Sequence, residues 1–161
     1  MTKEKKSAET LQFLSGEINL LHELQPLWEE LNEHHQRLSP HFAEEMARRT
    51  FAERCQFWLD EANNGQIKVD LVQDNHSPVA YCVTTLNQQL EGEISSLFIK
   101  ESYRRDGIGD ALMRRALAWL DSLGAKTRTI GVATGNEGAF AFCQRYGFYP
   151  RMTKLVQKES E

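Results

Sequence analysis

The chain has 161 residues, of which 40% are hydrophobic and 26% charged, and its net charge is −4. This length favours one domain with its own core, so we predict a single domain over residues 1–161, with residues 1–10 frayed. No apolar run approaches the roughly 20 residues of a membrane span, and no apolar stretch follows the N-terminus as in a signal peptide. The three cysteines have no paired spacing. We therefore expect a cytoplasmic protein without disulfides or structural zinc.

The charge is unevenly distributed along the chain. Residues 1–100 carry a net charge of −7 and residues 101–161 a net charge of +3. The overall acidity argues against a nucleic-acid partner. The acidic part would suit a cationic partner, and the basic part would suit a polyanion.

Apolar spacing predicts a strand and two helical stretches in the first third of the chain. Residues 11–15 alternate as in a strand. Leucines recur at helical spacing over residues 18–36, where Pro26 would bend or split the helix. A second helical stretch starts near Phe42 and ends at Asn63-Asn-Gly65.

The rest of the chain predicts a sheet with further helices. Strands are expected near residues 67–71, 79–86 and 93–99, and their short connections make them antiparallel neighbours. A helix that stops at Gly124, a strand over 127–132, a short helix over 138–146 and a final strand over 148–156 follow. This order predicts an α/β fold in which a mixed sheet carries helices on its faces.

The segment 94–113 carries the clearest motif. A predicted strand runs into a loop with Gly107 and Gly109, and a helix follows at once. Glycines let a ligand approach the backbone closely, and the free N–H groups at the start of a helix attract anions. Arg104 and Arg105 add guanidinium groups that match phosphate. The segment therefore predicts a phosphate site.

Two familiar phosphate loops do not fit this segment. A Walker loop requires Gly-Lys-Ser/Thr, whereas Asp110 follows Gly109, and a dinucleotide fingerprint requires a third glycine that is missing. The glycine pattern alone is equally compatible with an ordinary turn that carries two surface arginines. The surrounding residues must decide between these interpretations.

Residues 104–109 are Arg-Arg-Asp-Gly-Ile-Gly, and residues 136–148 are Asn-Glu-Gly-Ala-Phe-Ala-Phe-Cys-Gln-Arg-Tyr-Gly-Phe. The first segment resembles the Arg/Gln-x-x-Gly-x-Gly/Ala signature of the GNAT superfamily of N-acetyltransferases. The second is similar to the Asn-x-x-Ala-x-x-Phe-Tyr-x-x-x-Gly-Phe segment of the same family. The resemblance covers about residues 93–148 and implies a GNAT-like fold, with a mixed, mostly antiparallel central sheet and helices on both faces.

The resemblance implies acetyl-CoA as the acyl donor. The backbone N–H groups of residues 105–110 would hold the pyrophosphate, and the backbone of residues 97–99 would pair with the pantetheine arm beside Asn136. A main-chain N–H near Leu97 would polarise the thioester carbonyl. The implied cofactor-binding residues are Leu97, Phe98, Ile99, Arg104, Arg105, Asp106, Gly107, Ile108, Gly109, Asp110, Asn136 and Cys143.

Acetyl transfer to an amine requires a group that takes a proton from the ammonium. Glu93 is the best candidate, because it opens the strand that would carry the thioester and matches the glutamate that begins this strand in several family members. By strict alternation it would share a face with Ser95, Leu97 and Ile99. A solvated glutamate at the start of a strand is an equally good interpretation, and Glu91 is a weaker substitute.

Cys143 departs from the family pattern. The family usually has a tyrosine there, which often acts as general acid, so the sequence leaves the general acid unassigned. His34, His35 and His41 lack the spacing of a zinc site, and we expect surface histidines and no metal.

The sequence thus predicts transfer of an acetyl group from acetyl-CoA to a small, cationic primary amine by direct attack. A non-catalytic CoA-binding sensor and a nucleotide-binding protein stay as alternatives. The identity of the amine and the oligomeric state, a homodimer included, stay open.

Overall fold

One sheet of five strands organises residues 10–159, which the computed structural model describes. Of the segment 1–10 that we expect to be frayed, all residues but Thr10 lie outside the described part of the chain. The strands are β1 (Leu11–Gly16), β2 (Gly65–Asp74), β3 (Ser77–Asn87), β4 (Glu91–Ile99) and β5 (Thr127–Ile130). They lie in chain order, with β1 to β4 antiparallel and β5 parallel to β4. The predicted mixed, mostly antiparallel sheet is confirmed.

Helices cover both faces of this sheet, as predicted. They are α1 (Gln25–Leu38), α2 (Ala43–Arg48), α3 (Phe51–Asn63), α4 (Ile108–Ser122) and α5 (Ala139–Gln144), with 3-10 turns at Ile18–Leu24 and Glu101–Tyr103. On one face, α1 and α3 bury Leu27 and Trp58 against Tyr81 and Val83 of β3. On the other face, α4 packs against the side of β3 that carries Cys82.

The first helical region is divided differently from the prediction. The expected helix over 18–36 is a 3-10 turn followed by α1. Pro26 lies in the first turn of α1, where its missing N–H leaves no hydrogen bond unmade. The second stretch is split into α2 and α3, and Thr50 starts α3 with a capping box to Glu53.

The strand predicted over 148–156 is wrong. Residues 148–159 adopt no regular secondary structure. Tyr149, Met152, Leu155 and Val156 are exposed, with Leu155 at 89% of its full accessibility. Their spacing does not alternate, so no single strand face could bury all of them, and Pro150 has no N–H to give to a neighbouring strand.

A β-bulge in β4 changes which side chains share a face. Thr84 pairs with Ile94 and Val83 with Ser96, so Ser95 is an extra residue without a partner in β3. Glu93, opposite Thr85, therefore lies on the face covered by α1 and α3, whereas Leu97 packs with the α4 layer. The expectation that Glu93 shares a face with Leu97 and Ile99 is wrong, because the bulge shifts the alternation by one residue.

Candidate active site

The strands β4 and β5 diverge halfway along β4. Pairing between them covers residues 91–94 of β4 and ends at Ile94 and Ile130. Beyond that point no strand within residues 10–159 pairs with this edge of β4, so residues 95–99 present backbone groups on a free edge. Because the two strands are parallel, the loops that follow their carboxyl ends flank the same opening.

A cleft of 660 Å³ lies at this opening. Its lining brings together nine of the residues that the sequence predicts for the cofactor. These are Leu97, Phe98, Ile99, Arg104, Arg105, Gly107, Gly109, Asp110 and Asn136. Residues of α5 and its two flanking positions complete one wall: Gly138, Ala139, Phe142 and Arg145.

The N-terminus of α4 forms the anion-binding end of the cleft. Gly107 caps the helix with φ +81°, and no side chain bonds to the first backbone N–H groups. The N–H groups of residues 108–110 therefore have no acceptor within the helix. Ile108 is buried, so it can contribute to this end only through its backbone. Asp106 is exposed, so it can contribute only at the margin of this end.

The two arginines of the loop occupy different positions. Arg104 donates from Nε to the carbonyl of Ile99 at 3.0 Å, and its guanidinium lies 5.8 Å from the ring centroid of Phe98. Arg105 is exposed and adopts a left-handed backbone with φ +69°. Both add positive charge beside the helix N-terminus, as an anionic ligand requires.

Gly109 keeps the wall of the cleft clear. A Cβ at this position would lie 3.0 Å from Cδ1 of Ile99 and 3.4 Å from the Phe142 ring. The glycine thus leaves space next to the free edge of β4. Free N–H groups, flanking arginines and this space fit the phosphates and extended arm of acetyl-CoA.

Asp110 brings a carboxylate to the same end, and side chains from α4 and from the residues after α5 hold it. Tyr146 donates its hydroxyl to Oδ1 of Asp110, and Arg114 donates to Oδ2 at 3.0 Å. The hydrogen bonds from Tyr146 and Arg114 lower the pKa of Asp110. Tyr146 also packs edge-on against Phe142, with 5.3 Å between ring centroids.

Sequence reasoning missed the wall of the cleft that α1 supplies. Leu31 and His34 line the cleft opposite Asn136. Their spacing of three residues along a helix does place them on one face, but the sequence does not show which element that face meets. His34, expected on the surface, lies at the cleft.

Cys143 lies behind the wall rather than in it. It is 5% exposed, and burial raises the pKa of its thiol. It is absent from the lining of the cleft. The structure therefore does not place Cys143 with the other predicted cofactor residues.

Glu93 also lies outside the lining of the cleft, near the point where β4 leaves β5. It precedes the last paired residue of β4 by one position and pairs with Thr85 on one side and Thr129 on the other. It is half-buried. Arg54 of α3 is its charged neighbour. Burial lowers the pKa of the Arg54 guanidinium, and electrostatic interactions with Tyr81 and with the Glu93 carboxylate partly offset that effect.

The model of the Acetyltransferase (GNAT) family matches residues 24–148. The chain therefore belongs to the GNAT acetyltransferase family. A search of curated proteins gives no match in sequence.

Solved structures show the same fold. A GCN5-related N-acetyltransferase from Ralstonia eutropha aligns with a TM-score of 0.71 at 20% identity, over 91% of this chain and 98% of that one. The PaiA N-acetyltransferase from Thermoplasma acidophilum, in complex with coenzyme A, gives 0.70 at 17% identity over 89% and 92%. An aminoglycoside acetyltransferase from an uncultured soil sample, in complex with sisomicin, gives 0.64 at 14% over 95% and 97%.

Two negative findings apply to the described residues. No helix within residues 10–159 has the length and apolar character needed to cross a membrane. In the same part of the chain, no three histidine, cysteine or acidic side chains converge as they would around a metal ion.

Proposed function

We propose that this chain transfers the acetyl group of acetyl-CoA to a small primary amine by direct attack. The observation that carries this proposal is the free edge of β4 over residues 95–99, next to the N-terminus of α4, whose first N–H groups donate to no side-chain cap. One feature can hold an extended chain by backbone pairing, and the other can hold phosphate. The CoA complexes among the structural neighbours support the same donor.

The residues of the cleft have separate tasks in this proposal. The N–H groups of residues 108–110, with Arg104 and Arg105, bind the phosphates, while Asn136 flanks the extended arm. A backbone N–H near Leu97 donates to the carbonyl oxygen of the acetyl group. Acetyl-CoA supplies the activated acetyl thioester when bound.

Glu93 is the proposed proton acceptor. Its side chain lies on the face of the sheet that α1 and α3 cover, one residue before β4 leaves β5, and this position suits an amine arriving from that face. An alkylamine with a pKa near 10.4 is mostly protonated at neutral pH. The carboxylate would bind the ammonium and take its proton, directly or through water.

The acceptor is proposed to be cationic. The net charge of −7 over residues 1–100 favours such a substrate. Among the structural neighbours, one aminoglycoside acetyltransferase is in complex with sisomicin, which agrees with this class of acceptor. Rates with polyamines or amino sugars should exceed those with acidic amino acids and should fall as salt is added.

A screen for released CoA thiol tests the function. Acetyl-CoA is incubated with the protein and a panel of amines, and free thiol is followed with and without each amine. Amine-dependent release is expected for at least one cationic member. Binding of acetyl-CoA without release for any amine would favour the CoA-binding sensor, and thermal protection by ATP but not by acetyl-CoA would favour a nucleotide-binding protein.

A further inference from the structure

Ser95 is the extra residue of the bulge in β4, and it lies at the point where β4 leaves β5. The last pair with β5 is at Ile94, one residue earlier. A bulged residue loses its partners in the neighbouring strand. The backbone carbonyl of Ser95 therefore needs a hydrogen-bond partner outside the sheet, and its side-chain hydroxyl also needs one.

Two residues of α3 supply those partners. Arg54 donates from Nη2 to the carbonyl of Ser95 at 3.0 Å and to its Oγ at 3.2 Å. Trp58 donates from Nε1 to the same Oγ at 3.0 Å. The bulge is thus held by three hydrogen bonds from one helix.

Aromatic rings keep the Arg54 side chain in this position. Its guanidinium carbon lies 4.9 Å from the ring centroid of Trp58 and 5.0 Å from that of Phe57. Trp58 is fully buried, so this side of the arginine is fixed by the core. A guanidinium that contacts aromatic rings and is hydrogen-bonded to backbone is pre-organised.

We propose that Arg54 is a positioning residue for acetyl transfer: by holding Ser95 it aims the free backbone N–H groups just beyond the bulge at the acetyl carbonyl. This inference rests on the proposed function. The N–H groups belong to residues on the free edge of β4, and their direction depends on how the bulge is held. Stabilisation of a developing oxyanion requires donors fixed at about 2.7–3.1 Å from the oxygen, and a displacement of about 1 Å can cost 10²-fold in rate.

The first test compares Arg54→Met with Arg49→Met. Methionine keeps an unbranched side chain and removes the donors, whereas Arg49 is an exposed arginine near the start of α3 that pairs with Glu45. Arg54→Met should lower kcat by about 10- to 100-fold with little change in the KM for acetyl-CoA. Arg49→Met should leave both parameters unchanged.

Infrared spectroscopy separates positioning from a general loss of structure. Acetyl-CoA labelled with ¹³C at its carbonyl is bound in the absence of amine. In the wild type, the carbonyl band should shift to lower wavenumber than in solution, because backbone N–H groups donate to it. In Arg54→Met, the band should return toward its solution position while bound ligand still raises the melting temperature.

Two milder variants keep the test decisive if Arg54→Met fails to fold. Arg54→Lys retains a charged donor and should give an intermediate band position and kcat. Ser95→Ala removes the hydroxyl but keeps the carbonyl, so its effect should be smaller than that of either arginine variant. A carbonyl band at its wild-type position together with an unchanged kcat in folded Arg54→Lys, and in Arg54→Met if that variant folds, would overturn the inference. Failure of the wild type to acetylate any amine, with the band shifts as expected, would instead contradict the proposed function.

Discussion

A Cβ added to Gly135 would lie 2.1 Å from the carbonyl oxygen of Leu38, which shows how closely the end of α1 is seated against the loop after β5. Gly135 also has φ +97°, a conformation that side chains disfavour. This contact joins the two walls of the cleft, since His34 belongs to α1 and Asn136 to the loop. The width of the cleft therefore depends on a glycine at this position.

Gly135→Ala should separate these walls. The steric overlap and the left-handed backbone together should lower the free energy of unfolding by about 1–3 kcal/mol, and acetyl-CoA should bind more weakly. Gly131→Ala, in the same loop with no atom within 4 Å of its Cβ, is the control. Chemical denaturation and calorimetric titration measure both effects. Equal stability and equal acetyl-CoA affinity of the two variants would show that this contact does not determine the width of the cleft.

Gly107→Asp tests the phosphate end. Its carboxylate would stand at the start of α4, where anion binding is proposed, and it should abolish the rise in melting temperature that acetyl-CoA causes. Gly124→Asp is a matched control, because both glycines have positive φ and open space around the Cβ position, but only Gly107 lines the cleft. A ligand-induced shift that survives in Gly107→Asp would contradict the assigned site.

Glu93→Gln tests the proton acceptor. It keeps the shape of the side chain and should lower turnover by roughly 10²-fold at pH 7. The loss should shrink as pH rises toward the pKa of the amine, because the free base then forms without help. Glu91→Gln, at the exposed start of the same strand, should have little effect. Normal turnover of Glu93→Gln at pH 7 would place the base elsewhere.

Sequence patterns were sufficient to predict the loop over residues 104–109 and the antiparallel pairing of the three strands near residues 67–71, 79–86 and 93–99. The loop can be recognised from its glycine and arginine residues. The three strands are joined by short connections, which allow only antiparallel pairing of neighbours. The face of Glu93 could not be predicted in this way. The bulge at Ser95 is held by Arg54 and Trp58, which are distant in sequence, and alternation alone ignores such contacts.

The wall formed by Leu31 and His34 shows the same limit. Helical spacing shows that Leu31 and His34 share one face of α1, but it does not show which part of the chain that face meets. The close contact between Leu38 and Gly135 determines this. The prediction of a final strand over residues 148–156 was wrong for a different reason. Its β-branched and apolar residues suggested a strand, but they define no buried face.

Cys143 should behave as a buried packing residue. Because burial raises the pKa of its thiol, a smaller fraction is thiolate at pH 7, and alkylation should be slow and should speed up as pH rises. Cys143→Ala should keep at least about a tenth of the turnover, since loss of a required acid would cost roughly 10²–10⁴-fold. Peptide mapping after alkylation and steady-state rates check these points. A two-step mechanism would be indicated by two results together: loss of activity in Cys143→Ala and an acetylated Cys143 in the wild type.

Asp70 lies away from the cleft and should contribute to the stability of the fold. It is 1% exposed, accepts a hydrogen bond from Ser15, and lies 3.1 Å from Lys68 Nζ and 3.2 Å from Arg115 Nε. Asp70→Asn leaves these cations without their counter-charge and should cost about 2–4 kcal/mol, somewhat less than for a fully buried pair because both cations reach solvent. Glu45→Gln, which breaks an exposed pair with Arg49, should cost less than about 1 kcal/mol. Denaturant unfolding compares the two, and equal losses would contradict the structural role.

Transfer of a labelled acetyl group tests the central claim most directly. Acetyl-CoA with an isotopically labelled acetyl group is incubated with the protein and the cationic amines that release thiol, and the products are identified by mass spectrometry. We expect labelled amide on the amine in an amount equal to the free CoA, with both strongly reduced in Gly107→Asp. Bound acetyl-CoA with no labelled amide from any amine would contradict it.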